Sequence, residues 1–180
     1  MKSKSFHKTF FAILLVLAPL WWLTMTDDGQ RRVDAVLLLL LGDQGIDLKI
    51  AALDDQLTEA ELQQVYPDLH WQCSDAATDL GDRMCSSKIG TYNGLPAHRI
   101  AFYFGNGHLN ALKLNYRENY HAQLGSQLIA QLGEPNMPVA VSEQTPPPEN
   151  ILRWYSPHGM VIIKEVLKKG DEAAMLWLSQ

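Results

Sequence analysis

Hydrophobic and polar positions alternate most clearly between Ser86 and Gly133, and the rest of the chain is read outward from there. Ile100, Phe102 and Phe104 fall on one face of a predicted strand, Ala97 to Phe104. Leu112, Leu114 and Tyr116 alternate with Lys113, Asn115 and Arg117, giving a following strand one dry face and one wet face. Asn93-Gly94 suits a two-residue hairpin after a first strand, Ser86 to Tyr92, and Gly105-Asn106-Gly107 marks the next turn. Tyr120, Leu124, Leu128 and Leu132 then recur every four residues, which predicts a helix from near Asn119. Gly133 stands where that helix should be capped, and Pro135 lies just beyond.

Outside this centre the pattern is patchier. Thr58 and Glu61 form a capping box at the start of a short helix with Leu62 and Val65 on its apolar face, and Pro67 stops it. Ile46 to Leu53 alternates in part and reads as a strand, though its alanines also suit a helix. Trp71-Gln72-Cys73 is extended, and Ser74 to Met84 reads as a polar loop. Glu134 to Asn150 carries five prolines and no periodicity, as for a solvated connection. Three more strands follow: Ile151 to Ser156, Met160 to Leu167 and Ala173 to Leu178. The fold class is therefore α+β: an antiparallel sheet with short helices, in the order helix, strands, helix, strands. That order suggests an α-βββ unit used twice, over 58–117 and 119–179. In element order it resembles the tandem modules of the secreted β-lactamase inhibitor proteins, and a single unit is similar to the small lipoproteins of outer-membrane assembly. The resemblance covers about Leu57 to Leu178 and carries over no binding residue. The chain also lacks the lipidated cysteine of those lipoproteins.

One stretch is apolar without a polar face. Thr9 to Thr26 holds 18 uncharged residues, enough to cross a bilayer core. Lys2, Lys4 and Lys8 precede it, which favours an N-terminus inside, and Trp21 and Trp22 lie toward its far end. Its bulky end, Leu20 to Met25, offers no small-residue cleavage site, so an uncleaved signal anchor is expected. The organisation read from this is a cytoplasmic tail over 1–8, an anchor over 9–26, a juxtamembrane segment over 27–57, and a periplasmic domain over 58–180. The leucines 37–41 are too few to span a membrane on their own. The expected address is the inner membrane of a Gram-negative-type cell, with lipid contacted through 9–26.

Composition narrows the function. A formal net charge of −5 with no cluster of Lys and Arg argues against a nucleic-acid partner. Cys73 and Cys85, in the exported part, are an even pair and are expected to form a disulfide. Their spacing is not a zinc pattern, and none of the six histidines pairs with another at metal-ligand spacing. No nucleophile elbow and no phosphate loop is present, and no cofactor is expected. The aromatic residues are the remaining signal. They read first as core; the alternative is that Tyr103 and Tyr155, opposite in phase to clear core neighbours, lie on an exposed sheet face as a surface for an envelope protein partner. The leading expectation is a non-catalytic interaction module. An envelope hydrolase with an unrecognised site, and a carrier of a small ligand or lipid, stand as alternatives.

Overall fold

The computed structural model of the chain describes residues 43–136 and 151–180, together with Trp21, Met25, Thr26 and Gly29. The chain divides into two units, Met1–Gly42 and Asp43–Gln180. Every element described below belongs to the second. Most of the anchor expected over 9–26 and most of the Pro-rich connection lie outside the described residues. No helix among the described residues is long and apolar enough to cross a membrane.

Eight strands build one antiparallel sheet. They are β1 (Gln72–Thr78), β2 (Gly81–Lys88), β3 (Thr91–Tyr92), β4 (Leu95–Gly105), β5 (His108–Tyr116), β6 (Ile151–Ser156), β7 (Gly159–Lys164) and β8 (Ala174–Ser179). Across the sheet the order is β1-β2-β4-β5-β8-β7-β6, with β3 paired to the start of β4. The chain thus runs inward from one edge, β1 to β5, then inward from the other edge, β6 to β8. The two runs meet where Leu112 faces Trp177 and Leu114 faces Met175.

The helices precede the two edge strands. Helix α1 (Glu59–Val65) starts on the complete capping box of Thr58 and Glu61, as its sequence requires. Helix α2 (His121–Leu132) follows a single 3-10 turn, Glu118–Tyr120, and ends at Gly133 with φ 84°. Its Leu124 and Leu128 are buried, together with Leu62 of α1, against Phe102, Phe104, Leu112, Trp154 and Trp177. Trp154 ties the second helix to the sheet by donating from Nε1 to the Gly133 carbonyl at 2.9 Å.

Several expectations are corrected. Ile46 to Leu53 is not a strand. Only Ile46 bridges to Tyr92, and Ile50–Ala52 is a 3-10 turn. Its apolar residues nevertheless enter the core, with Ile46, Leu48, Ile50 and Leu53 all buried, because the segment covers one end of the sheet rather than joining it. Ser74 to Met84 is not a loop but most of the β1–β2 hairpin, whose outer strand is largely solvated and therefore polar. The strand expected over Ser86 to Tyr92 is split, β2 ending at Lys88 and β3 beginning at Thr91. The strand expected to reach Leu167 ends at Lys164. Val65, placed on the buried face of α1, is 61% exposed. The first run therefore holds five strands rather than three.

Candidate functional site

The pleat gives this sheet two chemically different faces. One carries Cys85, Phe102, Leu112, Trp177, Val161 and Trp154 against the helices. Stepping one residue along each strand gives the other face, on which no described helix packs. There the register sets Met84 opposite Tyr103, Tyr103 opposite Ala111, Ala111 opposite Leu178, Leu178 opposite Met160, and Met160 opposite Tyr155. An unbroken apolar row thus crosses six strands. A shorter row lies beside it, with Lys113 opposite Leu176 and Leu176 opposite Ile162, which faces Arg153. Ala111 and Ala101 are buried between their larger neighbours, while Met84, Tyr103, Met160, Ile162, Leu176 and Leu178 are half-exposed.

Both tyrosines singled out in the sequence lie on this row. Tyr155 is 52% exposed on the edge strand β6, and Tyr103 is half-buried toward the C-terminal end of β4. Neither hydroxyl is committed to a hydrogen bond among the described residues. The row could not be read from the sequence as a whole, because Met84, Met160 and Leu178 come together only through a strand order that periodicity does not reveal.

Charged groups on this face are of two kinds. Lys113 pairs with Glu172 at 2.7 Å, and Asn115 donates to the same carboxylate at 2.6 Å. Lys164 pairs with Asp171 at 3.0 Å. These contacts hold both acids below their ordinary range. The Lys113 hydrogen bond leads for Glu172, and a backbone bond from Lys168 leads for Asp171. Lys88 and Arg99, which face each other across β2 and β4, have no carboxylate partner among the described residues.

On the opposite face Arg83 holds Glu59 of α1 through Nε and through a second bond from Nη2, at 3.0 Å. It also reaches Asp75 at 3.1 Å. The pair depresses the Glu59 carboxyl and raises the Arg83 guanidinium, so it is a structural clamp between α1 and the β1–β2 hairpin. Cys73 and Cys85 are joined as a disulfide beneath it.

The histidines are dispersed. His121 opens α2, its Nδ1 2.7 Å from the Tyr116 hydroxyl and its ring stacked on that tyrosine. His108 stands at the β4–β5 turn and His158 at the β6–β7 turn. One grouping was invisible in the sequence. Asp54, Asp55 and His158 bring ligand atoms within 4.8 Å of one another, about a hundred residues apart in the chain. Asp54 already accepts from the Gln56 amide at 2.9 Å, and that bond is the main reason its carboxyl is depressed. Asp54 also lines a hollow of about 510 Å³ together with Leu48, Leu53, Leu57 and Val65, but nothing in the cluster forms a nucleophile–base pair. Comparison with family models, curated proteins and solved structures finds no match to this chain.

Proposed function

We propose that this chain is a single-pass inner-membrane protein whose α+β domain faces the periplasm and works as a non-catalytic interaction module. The observation that carries the reading is the apolar row from Met84 to Tyr155 on the face away from the helices. An apolar strip of this length on a sheet face, with aromatic residues in it and charged residues beside it, has the composition of a protein interface. Tyr103 and Tyr155 would supply large rigid contacts, and the cations beside them would sort partners.

Two further features support the address. The 18 uncharged residues of Thr9 to Thr26 behind three lysines suit an uncleaved anchor over 9–26. The Cys73–Cys85 disulfide fits an oxidising compartment. The layout of the sheet also supports duplication, over 58–117 and 119–179. Each run starts with a helix, enters at its own edge and ends at the centre. In this layout the interaction face is shared by both halves.

Two measurements test the reading. An intact mass of the protein extracted from membranes without reductant should be full length and lighter by two hydrogens. A mass lacking the first two dozen or so residues would remove the anchor. A photo-crosslinker placed at Tyr155 should give a discrete envelope-protein adduct that the same crosslinker at Glu118 does not give. Equal yields from both positions would sink the interaction face.

A further inference from the structure

The helix-free face also carries a polar hollow of about 180 Å³, over the two rows next to the apolar strip. Gln72 of β1, Ser86 and Lys88 of β2 and Arg99 of β4 line it on the sheet. Asp43 and His70 wall it from the segments that precede the strands. The Asp43 main chain is held close by the Gly90 amide, which donates to the next carbonyl, Gln44, at 3.0 Å. We propose that this hollow binds a small oxyanion, a carboxylate or phosphate group.

Three observations carry the proposal. First, Lys88 and Arg99 face each other in register. Like charges directly opposite on antiparallel strands repel, and an anion between them removes the penalty. Second, neither has a carboxylate within ion-pair distance among the described residues, whereas Arg83, Lys113 and Lys164 each have one. With a net charge of −5 the chain has acids to spare, yet only Asp43 is set at this hollow. Third, apart from Ser87, whose hydroxyl is given to the Lys88 carbonyl at 3.2 Å, the remaining lining offers groups able to donate. The Ser86 hydroxyl belongs to a residue only 6% exposed and makes no hydrogen bond among the described residues. The Gln72 amide and the His70 ring stand beside it. The planar guanidinium of Arg99 can take two oxygens of one carboxylate or phosphate at once, and Lys88 adds a point charge. The site stands on these groups and not on the apolar row, so either can fail without the other.

The test is the melting temperature of the full chain in neutral detergent, in sodium phosphate and in sodium acetate, against sodium chloride at matched ionic strength. A ligand that binds only the folded state raises that temperature in a saturable way. Phosphate or acetate should do so beyond chloride. Lys88→Gln and Arg99→Gln should each weaken the response at least tenfold, and Lys113→Gln should leave it unchanged. Without oxyanion, Lys88→Gln should melt no lower than the parent, because it relieves the repulsion. Equal effects of all three salts, or a full response in the double variant, would overturn the site. Repeating the titration in phosphatidylcholine bilayers with and without phosphatidylglycerol separates two sources. A phosphate response lost on adding the anionic lipid assigns the site to a headgroup, and a response that survives assigns it to a dissolved oxyanion.

Discussion

Cys73 of β1 lies directly opposite Cys85 of β2, and a disulfide joins them across the hairpin, with Cα atoms 4.0 Å apart. Cys85 is fully buried on the helix side of the sheet, against which α1 packs through Leu62. The bridge therefore staples an otherwise polar edge strand to the core. On the chain-entropy argument a loop of this length contributes about 3 kcal/mol. The double variant Cys73→Ala, Cys85→Ala should melt several degrees lower than the oxidised parent. Adding reductant should lower the parent toward the variant and leave the variant where it was. A parent indifferent to reductant would show that the staple contributes nothing.

Two glycines should fail for opposite reasons. Gly133 ends α2 at φ 84° and ψ −166°, a region closed to residues with a Cβ, yet a Cβ there would meet nothing within 4 Å. Gly133→Ala should therefore cost about 1–3 kcal/mol through backbone strain alone. At Gly159 a Cβ would lie 2.4 Å from the Leu178 carbonyl oxygen and 2.6 Å from the Trp177 ring. Gly159→Ala should push β7 away from β8. Denaturant unfolding distinguishes the two: Gly133→Ala should lower the midpoint with an unchanged slope, and Gly159→Ala should also disturb the near-ultraviolet signal of Trp177.

Alkali should unfold the domain over a defined range. Burial pushes the Tyr116 hydroxyl from its ordinary 10.0 up to about 12, and burial also raises Tyr92. Folding favours the neutral phenols, so their contribution is whole below pH 10. It is lost as pH rises from there through about 12. Tyr116→Phe should shallow the fall of melting temperature between pH 10 and about 12. An identical slope in the variant would place the alkaline sensitivity elsewhere. The variant also removes the 2.7 Å contact with His121, so its melting temperature at neutral pH is the required reference.

Legibility in the sequence followed burial. The β4–β5 pair was readable because one face is dry and the other wet, and α2 was readable because a four-residue repeat ends at a glycine and a proline. Thr58 and Glu61 announced α1 through local hydrogen bonding alone. The β1–β2 hairpin was not readable: an edge strand with Ser74, Asp75 and Thr78 exposed has no reason to alternate, and the expected disulfide fits a stapled loop as well as a hairpin. Ile46 to Leu53 alternated like a strand because its residues cap the core, yet beyond Ile46 it makes no ladder. For the candidate face, the phase of Tyr103 and Tyr155 was legible from each strand alone. Their joining into one row through Met84, Leu178 and Met160 depends on β8 returning between β5 and β7. The Lys88–Arg99 hollow depends in the same way on the register of two strands.

Adjacent residues on β6 give the sharpest test of that face. Trp154 is fully buried and donates to Gly133, while Tyr155 points the other way and is 52% exposed. Trp154→Ala empties a core site and should cost about 3–5 kcal/mol. Tyr155→Ala, away from any buried partner, should stay within about 0.5 kcal/mol of the parent. Tyr103→Ala should fall between them, because that ring is half-buried against Met84 and Ala111. If the row is a partner surface, Tyr155→Ala and Tyr103→Ala should both reduce the yield of the envelope adduct several-fold while circular dichroism stays native. A Tyr155→Ala protein that melts like Trp154→Ala would mean that the ring is part of the core. A stable Tyr155→Ala protein with an undiminished adduct would mean that this row is not the partner surface.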